Sequence, residues 1–204
     1  MFITFEGTEG SGKSTLIQNL SEKLKILDLP HITTREPGGS PVAESIRQII
    51  LQHTMDPITE LFLYEAARAE HFQQTIQSAL AQNKIVLCDR FIDSTLAYQG
   101  FARKLDLRMI EKLNALATQK RKPNLTFFLD LPVEVGLARA QDPNRFELEG
   151  VLFQKKVRQG YLYAMKKDPK RWIKISVNQL PASEVCEKAL SHLLKRIKIK
   201  GRRG

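Results

Sequence analysis

Cysteine is scarce in this chain: Cys88 and Cys186 are its only two cysteines, and they lack the spacing of a metal-ligand pair. The scarcity excludes a disulfide framework, and we expect two reduced thiols in the cytoplasm. The chain also lacks any apolar run near the roughly 20 residues that span a bilayer, so we expect no membrane partner. Because no basic stretch precedes the first apolar residues, we expect no signal peptide.

The sequence contains no internal repeat and no linker rich in proline or glycine, which predicts a single domain over residues 1–204. Five short segments have the character of strands, and helical patterns separate them. The strand segments are Phe2–Phe5, His31–Thr34, Ile85–Cys88, Leu125–Leu129 and Trp172–Ser176. Such alternation predicts an α/β fold, with a five-stranded parallel sheet flanked by helices on both faces.

The formal net charge of +10 raises the question of a nucleic-acid partner. Six of these positive charges lie in the C-terminal tail, about residues 195–204. A basic helix end suits the helix dipole and is commonly frayed and solvated, although basic runs also bind polyanions. Since no RNA- or DNA-binding motif accompanies the tail, we expect no nucleic-acid partner.

The segment after the first predicted strand is rich in glycine and ends in a lysine and two hydroxyl groups. It fits the pattern G-x-x-x-x-G-K-[ST] between a strand and a helix, although a plain glycine-rich turn is the alternative. Backbone N–H groups of such a loop cradle phosphates, while Lys13 would reach the β- and γ-phosphates and Ser14 would bind Mg²⁺. The predicted ATP/phosphate-binding residues are Gly7, Thr8, Glu9, Gly10, Ser11, Gly12, Lys13, Ser14 and Thr15.

Charged residues also follow the other predicted strands, and the carboxyl ends of parallel strands meet at one edge of the sheet. Arg35 and Glu36 follow the second segment, Asp89 and Arg90 the third, and Asp130 the fourth. This convergence favours a catalytic site over a simple binding pocket. Asp89 could hold Mg²⁺ and Arg90 an acceptor phosphate, or the two could form an ion pair that caps the next helix.

Arginine is abundant among these candidates. An enzyme that phosphorylates a phosphate must overcome repulsion between two anions, and arginine grips phosphate in a bidentate way. The candidate arginines are Arg35, Arg68, Arg90, Arg139, Arg145 and Arg158. No general base is required, because the attacking oxygen belongs to an ionised phosphate.

Two further segments admit a functional or a purely structural interpretation. Tyr64 and Arg68 share a helix face, where they could stack on a base and bind its carbonyl, or simply belong to the core. The polar stretch at about residues 141–150 could close over phosphates as a lid, or be a solvated loop.

Several motifs together resemble the bacterial thymidylate kinase family. They are FEGTEGSGKST at 5–15, TREPGG at 34–39, AARAEH at 66–71, DRFIDSTLAYQG at 89–100, FLDLPVEVGL at 128–137 and GY at 160–161. The phosphate loop is shared by many families, but its combination with the second and fourth motifs is far more specific. The resemblance implies a P-loop kinase fold with a short lid, and phosphorylation of dTMP to dTDP by ATP with Mg²⁺.

The resemblance also implies roles for individual residues. Arg68 would contact the thymine carbonyl, Tyr64 would stack on the ring, and Tyr98 would press on the sugar near its 2′ position. Lys13, Arg90 and Glu9 would be catalytic, while Ser14 and Asp89 would hold the metal. The implied dTMP-binding set is Arg35, Pro37, Tyr64, Arg68, Arg90, Thr95, Tyr98 and Gln99. Family members are usually homodimers, so ATP, dTMP and a second copy are the expected partners.

Two departures from the family pattern leave questions open. Tyr64 stands where the stacking residue is usually Phe, and Gly10 follows Glu9 where some members carry an arginine. The missing arginine indicates the type that supplies one from the lid, and either Arg139 or Arg145 could serve. A deoxynucleoside kinase, or a nucleotide switch or partition ATPase, remain the alternative functions.

Overall fold

The computed structural model describes residues 1–139, 145–146 and 148–201, the last four by their backbone only. Five strands form one sheet with the order β2-β3-β1-β4-β5, and every paired strand runs parallel. The strands are β1 (Phe2–Glu6), β2 (His31–Arg35), β3 (Ile85–Asp89), β4 (Leu125–Asp130) and β5 (Trp172–Ser176). Helices surround the sheet, so the predicted α/β class and strand number are confirmed.

Helices occupy most of the chain between the strands. They are α1 (Lys13–Ile26), α2 (Pro41–Gln52), α3 (Pro57–His71), α4 (Gln77–Ala81), α5 (Ile92–Thr95), α6 (Leu107–Ala117), α7 (Val133–Ala138), α8 (Gly150–Lys167) and α9 (Ala182–Gly201). A π-helical segment, Phe72–Ile76, joins α3 to α4, and a second, Leu96–Ala102, continues α5. Residues 141–144 and 147 of the predicted lid lie outside the described residues, as do residue 140 and the tail residues 202–204.

The three central strands, β3, β1 and β4, are mostly apolar because they are covered on both faces. Every residue of β1 and β4 is buried, whereas the edge strand β2 is half exposed. One core cluster joins the sheet to α1 and α9, and includes Leu20, Phe127 and Leu193. Since β1 lies in the middle, the loop that follows it is flanked by the ends of β3 and β4.

Helix α8 and the π-helical segment at 96–102 approach each other closely at Gly160. A Cβ atom on Gly160 would lie 2.5 Å from the Cα of Ala97, so a larger residue would force the helices apart. This contact places the next residue, Tyr161, inside the core, where its hydroxyl reaches Arg90.

Among the described residues, no helix is both long enough and apolar enough to cross a bilayer.

Candidate active site

A cavity of about 540 Å³ opens where β1, β2 and β3 end. Residues 9–15, the greater part of the glycine-rich loop, form one side of it. The other predicted site residues in its wall are Arg35, Pro37, Tyr64, Arg68, Asp89, Arg90, Thr95, Tyr98, Gln99 and Arg139. Some described candidates lie outside this wall, namely Gly7, Thr8, Asp130, Arg145 and Arg158. Arg158 pairs with Asp130 at 2.6 Å instead.

The glycine-rich loop wraps around its own lysine. Lys13 Nζ lies 3.3 Å from the carbonyl oxygen of Gly7, 3.1 Å from that of Thr8 and 3.4 Å from Ser11 Oγ. Burial lowers the pKa of Lys13, and the nearby Arg90 guanidinium lowers it further. Because these three hydrogen-bond partners are neutral, an anionic phosphate at the loop would stabilise the ammonium group.

Glycine is required at two turns of this loop. Gly10 and Gly12 have φ values of 67° and 85°, in the left-handed region that a Cβ atom disfavours. At Gly10 a Cβ would also lie 2.1 Å from the carbonyl oxygen of Gly136 in α7. The loop therefore packs against α7. The loop and the first residues of α1 both line the cavity.

Two side chains with oxygen atoms suited to a metal ion, one in the loop and one at the end of β3, lie close together. Ser14 Oγ donates a hydrogen bond of 3.4 Å to Asp89 Oδ2, and both residues line the cavity. The other carboxylate oxygen, Asp89 Oδ1, is buried without a hydrogen-bond partner among the described residues. Mg²⁺ prefers oxygen ligands and is usually bound through one or two carboxylates, so this orphaned oxygen and the Ser14 hydroxyl fit that ion.

Arg90 lies at the centre of the site, with a left-handed φ of 65°. Its Nη1 donates to the carbonyl oxygen of Gly7 at 3.1 Å and to the hydroxyl of Tyr161 at 2.8 Å, and its Nη2 donates to Glu9 Oε1 at 2.7 Å. An arginine carries five N–H groups. One on Nε and one on Nη2 have no partner among the described residues, so two donors remain for a ligand.

Glu9 balances the charge of Arg90 at the edge of the cavity. Its Oε1 also accepts the Tyr98 hydroxyl at 2.8 Å, and the Arg90 guanidinium lies 5.1 Å above the Tyr98 ring. Although burial raises the pKa of Glu9, the Arg90 and Lys13 cations outweigh it and hold that pKa below the usual value. Glu9 is therefore ionised near neutral pH and fixes both side chains.

Arg68 is almost completely buried at the other end of the cavity, with 1% of its side chain exposed. Its Nε donates to Glu36 Oε2 at 2.8 Å, and its Nη1 donates to Glu65 Oε1 at 2.8 Å and to Asn114 Oδ1 at 2.9 Å. Its Nη2 donates to the carbonyl oxygen of Phe91 at 3.3 Å. Four of five N–H groups are thus used within the described residues, which leaves one donor on Nη2.

Three further predicted residues lie near Arg68 in the cavity wall. Thr95 Oγ1 is buried with no hydrogen-bond partner among the described residues, so it is available to a ligand. Gln99 Nε2 donates to the buried carboxylate of Glu60 at 2.7 Å, which orients its amide group. The Tyr64 ring lies 6.3 Å from the ring of Phe146, which also lines the cavity.

The segment after β2 carries two arginines. Arg35 pairs with Glu44 at 2.8 Å, but its side chain is 51% exposed and free to change partner. Arg47, which sequence reasoning did not identify, lines the cavity and donates to the carbonyl oxygen of Pro37 at 2.8 Å. The peptide bond between Glu36 and Pro37 is cis.

The two candidate lid arginines have different surroundings. Arg139 is exposed, lines the cavity and lies with its Nη1 3.4 Å from the carbonyl oxygen of Gly10. Arg145 does not line the cavity: it donates to Glu60 Oε2 at 2.7 Å and to the carbonyl oxygen of Ile50 at 2.6 Å.

Sequence reasoning placed Glu36 near the site but missed the other polar groups that hold Arg90 and Arg68 in position. Glu6, Ser94 and Tyr161 form hydrogen bonds that lead to Arg90, while Glu36 and Glu65 hold Arg68. Glu6 gave one usable signal, because an acidic residue at the end of a buried, mostly apolar strand needs a hydrogen-bond partner. Tyr161 gave none beyond its place in a motif.

Comparison with known proteins gives a consistent result. A family model described as thymidylate kinase matches residues 5–188. The thymidylate kinase of Geotalea uraniireducens (strain Rf4) is 52% identical over 190 residues, 87% of this chain and 89% of that protein. That of Syntrophotalea carbinolica is 48% identical over 199 residues, 92% of each chain. The crystal structure of thymidylate kinase from Ehrlichia chaffeensis matches with a TM-score of 0.80 at 35% identity, covering 95% of this chain and 98% of that one.

Proposed function

The chain belongs to the thymidylate kinase family and phosphorylates dTMP to dTDP with ATP, and we propose that both nucleotides bind in the cavity described above. The observation that carries the proposal is Arg90. Its guanidinium contacts the phosphate loop through Gly7 and Glu9, lies over Tyr98, and keeps two N–H groups for a phosphate. A cation at that position can hold an acceptor phosphate against the end of a bound triphosphate.

The triphosphate end of the cavity is formed by the phosphate loop, residues 7–15. Backbone N–H groups of the loop and of the first turn of α1 hold the phosphates, and Lys13 neutralises the β- and γ-oxygens. Ser14 and Asp89 would hold Mg²⁺, since Asp89 Oδ1 has a free lone pair in a buried position. When bound there, Mg²⁺ would neutralise charge on the oxygens of the transferring phosphoryl group.

Arg90 and Arg35 hold the acceptor phosphate. Arg90 keeps its ion pair with Glu9 and uses its remaining donors, so it does not have to move. Arg35 exchanges Glu44 for the phosphate, which is a small change because exposed ion pairs contribute only about 0–1 kcal/mol.

The nucleoside of dTMP lies between Tyr64 and Arg68. The single free N–H on Arg68 Nη2 donates to a thymine carbonyl, and the Tyr64 ring stacks on the base. Thr95, Gln99 and Pro37 complete the base and sugar pocket. Tyr98, held by Glu9, lies against the sugar and leaves no room for a 2′-hydroxyl.

The chemistry needs alignment and charge neutralisation more than proton transfer. The attacking oxygen of dTMP is already ionised, so no side chain has to remove a proton. Lys13 and Arg90 oppose the repulsion between the two anions, and Glu9 fixes Arg90 in place. Positioning and electrostatic stabilisation of this kind account for most catalysis of phosphoryl transfer.

Arg139 is the arginine that reaches the transferring phosphoryl group from the lid side. It directly follows α7, lies next to Gly10 of the phosphate loop and forms no ion pair with a carboxylate among the described residues. Arg145, in contrast, anchors the lid segment to the body of the protein through the buried Glu60.

The protein works in the cytoplasm as a homodimer. Large apolar side chains are exposed on α2 and α3, namely Val42, Ile49, Ile58 and Phe62, with exposures of 36–55%. Several apolar residues exposed on two adjacent helices are the usual mark of a protein interface. Cys88 and Cys186 are buried and free, which suits a reducing compartment and can be checked by cell fractionation.

A steady-state assay with ATP and Mg²⁺ tests the function. We expect rapid phosphorylation of dTMP, none of thymidine, and little ATP turnover without an acceptor. Lys13→Ala should lower kcat by about 100-fold or more, because the transition state loses a phosphate clamp. Lys25→Ala, an exposed change on the same helix, is the control and should match the wild type. Equal turnover with and without dTMP would refute the assignment.

Two alanine variants distinguish the roles of Arg139 and Arg145. Arg139→Ala should lower kcat at saturating substrates by about 10-fold or more, with its melting temperature unchanged. Arg145→Ala should lower the melting temperature and reduce kcat less, because it leaves Glu60 with one cation fewer. The reverse order of kcat values would assign the catalytic role to Arg145.

Discrimination against the ribose form tests Tyr98. We expect Tyr98→Ala to reduce the ratio of kcat/KM for dTMP over 5-methyluridine monophosphate by about 10-fold. Tyr98→Phe keeps the ring and loses only the bond to Glu9, so it should retain most of the preference. An unchanged ratio in the alanine variant would remove Tyr98 from the sugar pocket.

The dimer is tested by light scattering. The wild-type mass should be about twice the 23.3 kDa of one chain. Phe62→Asp, which adds a charge at the exposed apolar face, should shift the protein toward the monomer without unfolding it. A wild-type protein that stays monomeric at micromolar concentration would contradict the proposal.

A further inference from the structure

Glu6 is a buried carboxylate at the end of β1 that takes no part in the cavity wall. Its side chain is fully buried, and burial together with the nearby Asp93 raises the pKa of Glu6 to about 8, against the opposing effects of Ser94 and Arg90. A carboxyl group buried in this way is energetically costly unless hydrogen bonds satisfy both of its oxygens. Both oxygens of Glu6 are used, and both lead toward Arg90.

The first oxygen holds the backbone next to Arg90. Glu6 Oε1 accepts the Phe91 N–H at 2.9 Å, while the N–H of Arg90 itself donates to the carbonyl oxygen of Phe5 at 3.0 Å. Arg90 has a φ of 65°, a conformation that a residue with a side chain adopts only when its surroundings impose it. Without Glu6, the Phe91 N–H would be buried and unpaired, and this left-handed turn would lose one of its constraints.

The second oxygen begins a chain of three hydrogen bonds that ends at the Arg90 guanidinium. Ser94 Oγ donates to Glu6 Oε2 at 2.6 Å, and the hydroxyls of Ser94 and Tyr161 lie 2.8 Å apart. Arg90 Nη1 then lies 2.8 Å from the Tyr161 hydroxyl oxygen. A length of 2.6 Å is typical of a hydroxyl that donates to an ionised carboxylate.

When Glu6 is ionised, which its raised pKa places above about pH 8, the two ends of this chain set its direction. A guanidinium can only donate, so the Tyr161 oxygen accepts from Arg90. The Ser94 proton is directed to Glu6, and therefore the Tyr161 proton must be directed to Ser94. Ionised Glu6 thus keeps a lone pair of Tyr161 turned toward Arg90, across two intervening hydroxyl groups.

We propose that Glu6 is the positioning residue for Arg90: it fixes the left-handed turn through Phe91 and orients the guanidinium through Ser94 and Tyr161. The inference rests on the proposed function in one respect, that Arg90 binds the phosphate of dTMP. Glu6 itself touches neither nucleotide.

Replacement of Glu6 by glutamine leaves no satisfactory arrangement. If the amide oxygen accepts from Phe91, the amide NH₂ faces Ser94 and the chain must reverse, which deprives the Tyr161 proton of its acceptor. If the amide is turned over, its NH₂ faces the Phe91 N–H and two donors oppose each other. Either orientation disturbs one of the two supports of Arg90 at nearly constant side-chain volume.

A double-mutant cycle tests the inference with Glu6→Gln, Arg90→Ala and the combined variant, at pH 8.5, where Glu6 is mostly ionised. We expect Glu6→Gln to lower kcat/KM for dTMP and weaken dTMP binding by about 10-fold, with KM for ATP changed much less. In the Arg90→Ala background the same change should have less than about a 2-fold effect. Equal effects in both backgrounds would overturn the inference.

Two further variants distinguish the proposed role of Glu6 from a general loss of structure. Tyr161→Phe removes only a hydroxyl from the chain, and its effect should also vanish in the Arg90→Ala background. Thr4→Val is the matched control, because Thr4 is equally buried in β1 but its hydroxyl pairs with Thr126 instead. We expect it to behave as the wild type. If Thr4→Val weakens dTMP binding as much as Glu6→Gln, the effect is a loosened strand and the inference is wrong.

The same double-mutant cycle can be measured without turnover, by determining the affinity of each variant for dTMP by calorimetry in the absence of ATP. A wild-type protein that bound dTMP but did not phosphorylate it would contradict the proposed function, and the binding cycle would still decide the role of Glu6. If Glu6→Gln does not fold, the cycle with Tyr161→Phe decides instead, and additive effects there would overturn the inference.

Discussion

The ion pair between Arg90 and Glu9 is the interaction on which the site depends. It joins the glycine-rich loop after β1 to the turn after β3, and its 2.7 Å contact is supported by the Gly7 carbonyl and the Tyr161 hydroxyl. Because Glu9 offsets the charge, Arg90 can remain ionised and only partly exposed before any ligand arrives. In the proposed complex, its two remaining donors would bind the acceptor phosphate with little reorganisation.

Arg68 illustrates the same principle at the opposite end of the cavity. Two carboxylates and an amide hold its guanidinium, and only one donor is left over. A single fixed donor can distinguish bases by the position of a carbonyl, whereas a mobile arginine would adapt to several. In the proposed complex with dTMP, selectivity would arise because Glu36, Glu65 and Asn114 fix the Arg68 guanidinium and leave it one free donor.

The sequence predicted the sheet and most of the cavity because both follow local rules. Apolar runs specify the buried strands, and parallel strands bring Asp89 and the phosphate loop to one edge. The supporting groups depend on long-range packing that no local pattern encodes. Tyr161 reaches Arg90 only because Gly160 lets α8 lie against Ala97, and the π-helical turn that carries Tyr98 has the same apolar pattern as an ordinary α-helix.

The difference between available and committed arginines also depends on packing. Arg35 and Arg145 each pair with a glutamate, yet Glu44 is 39% exposed and Glu60 only 1%. Removing a cation from an exposed pair costs about 0–1 kcal/mol, whereas stripping a buried carboxylate costs about 3–5 kcal/mol. Arg103, 3.4 Å from Glu60, offsets only part of that loss. A phosphate can therefore recruit Arg35 easily and Arg145 only at the expense of the fold, and sequence position alone does not reveal this distinction.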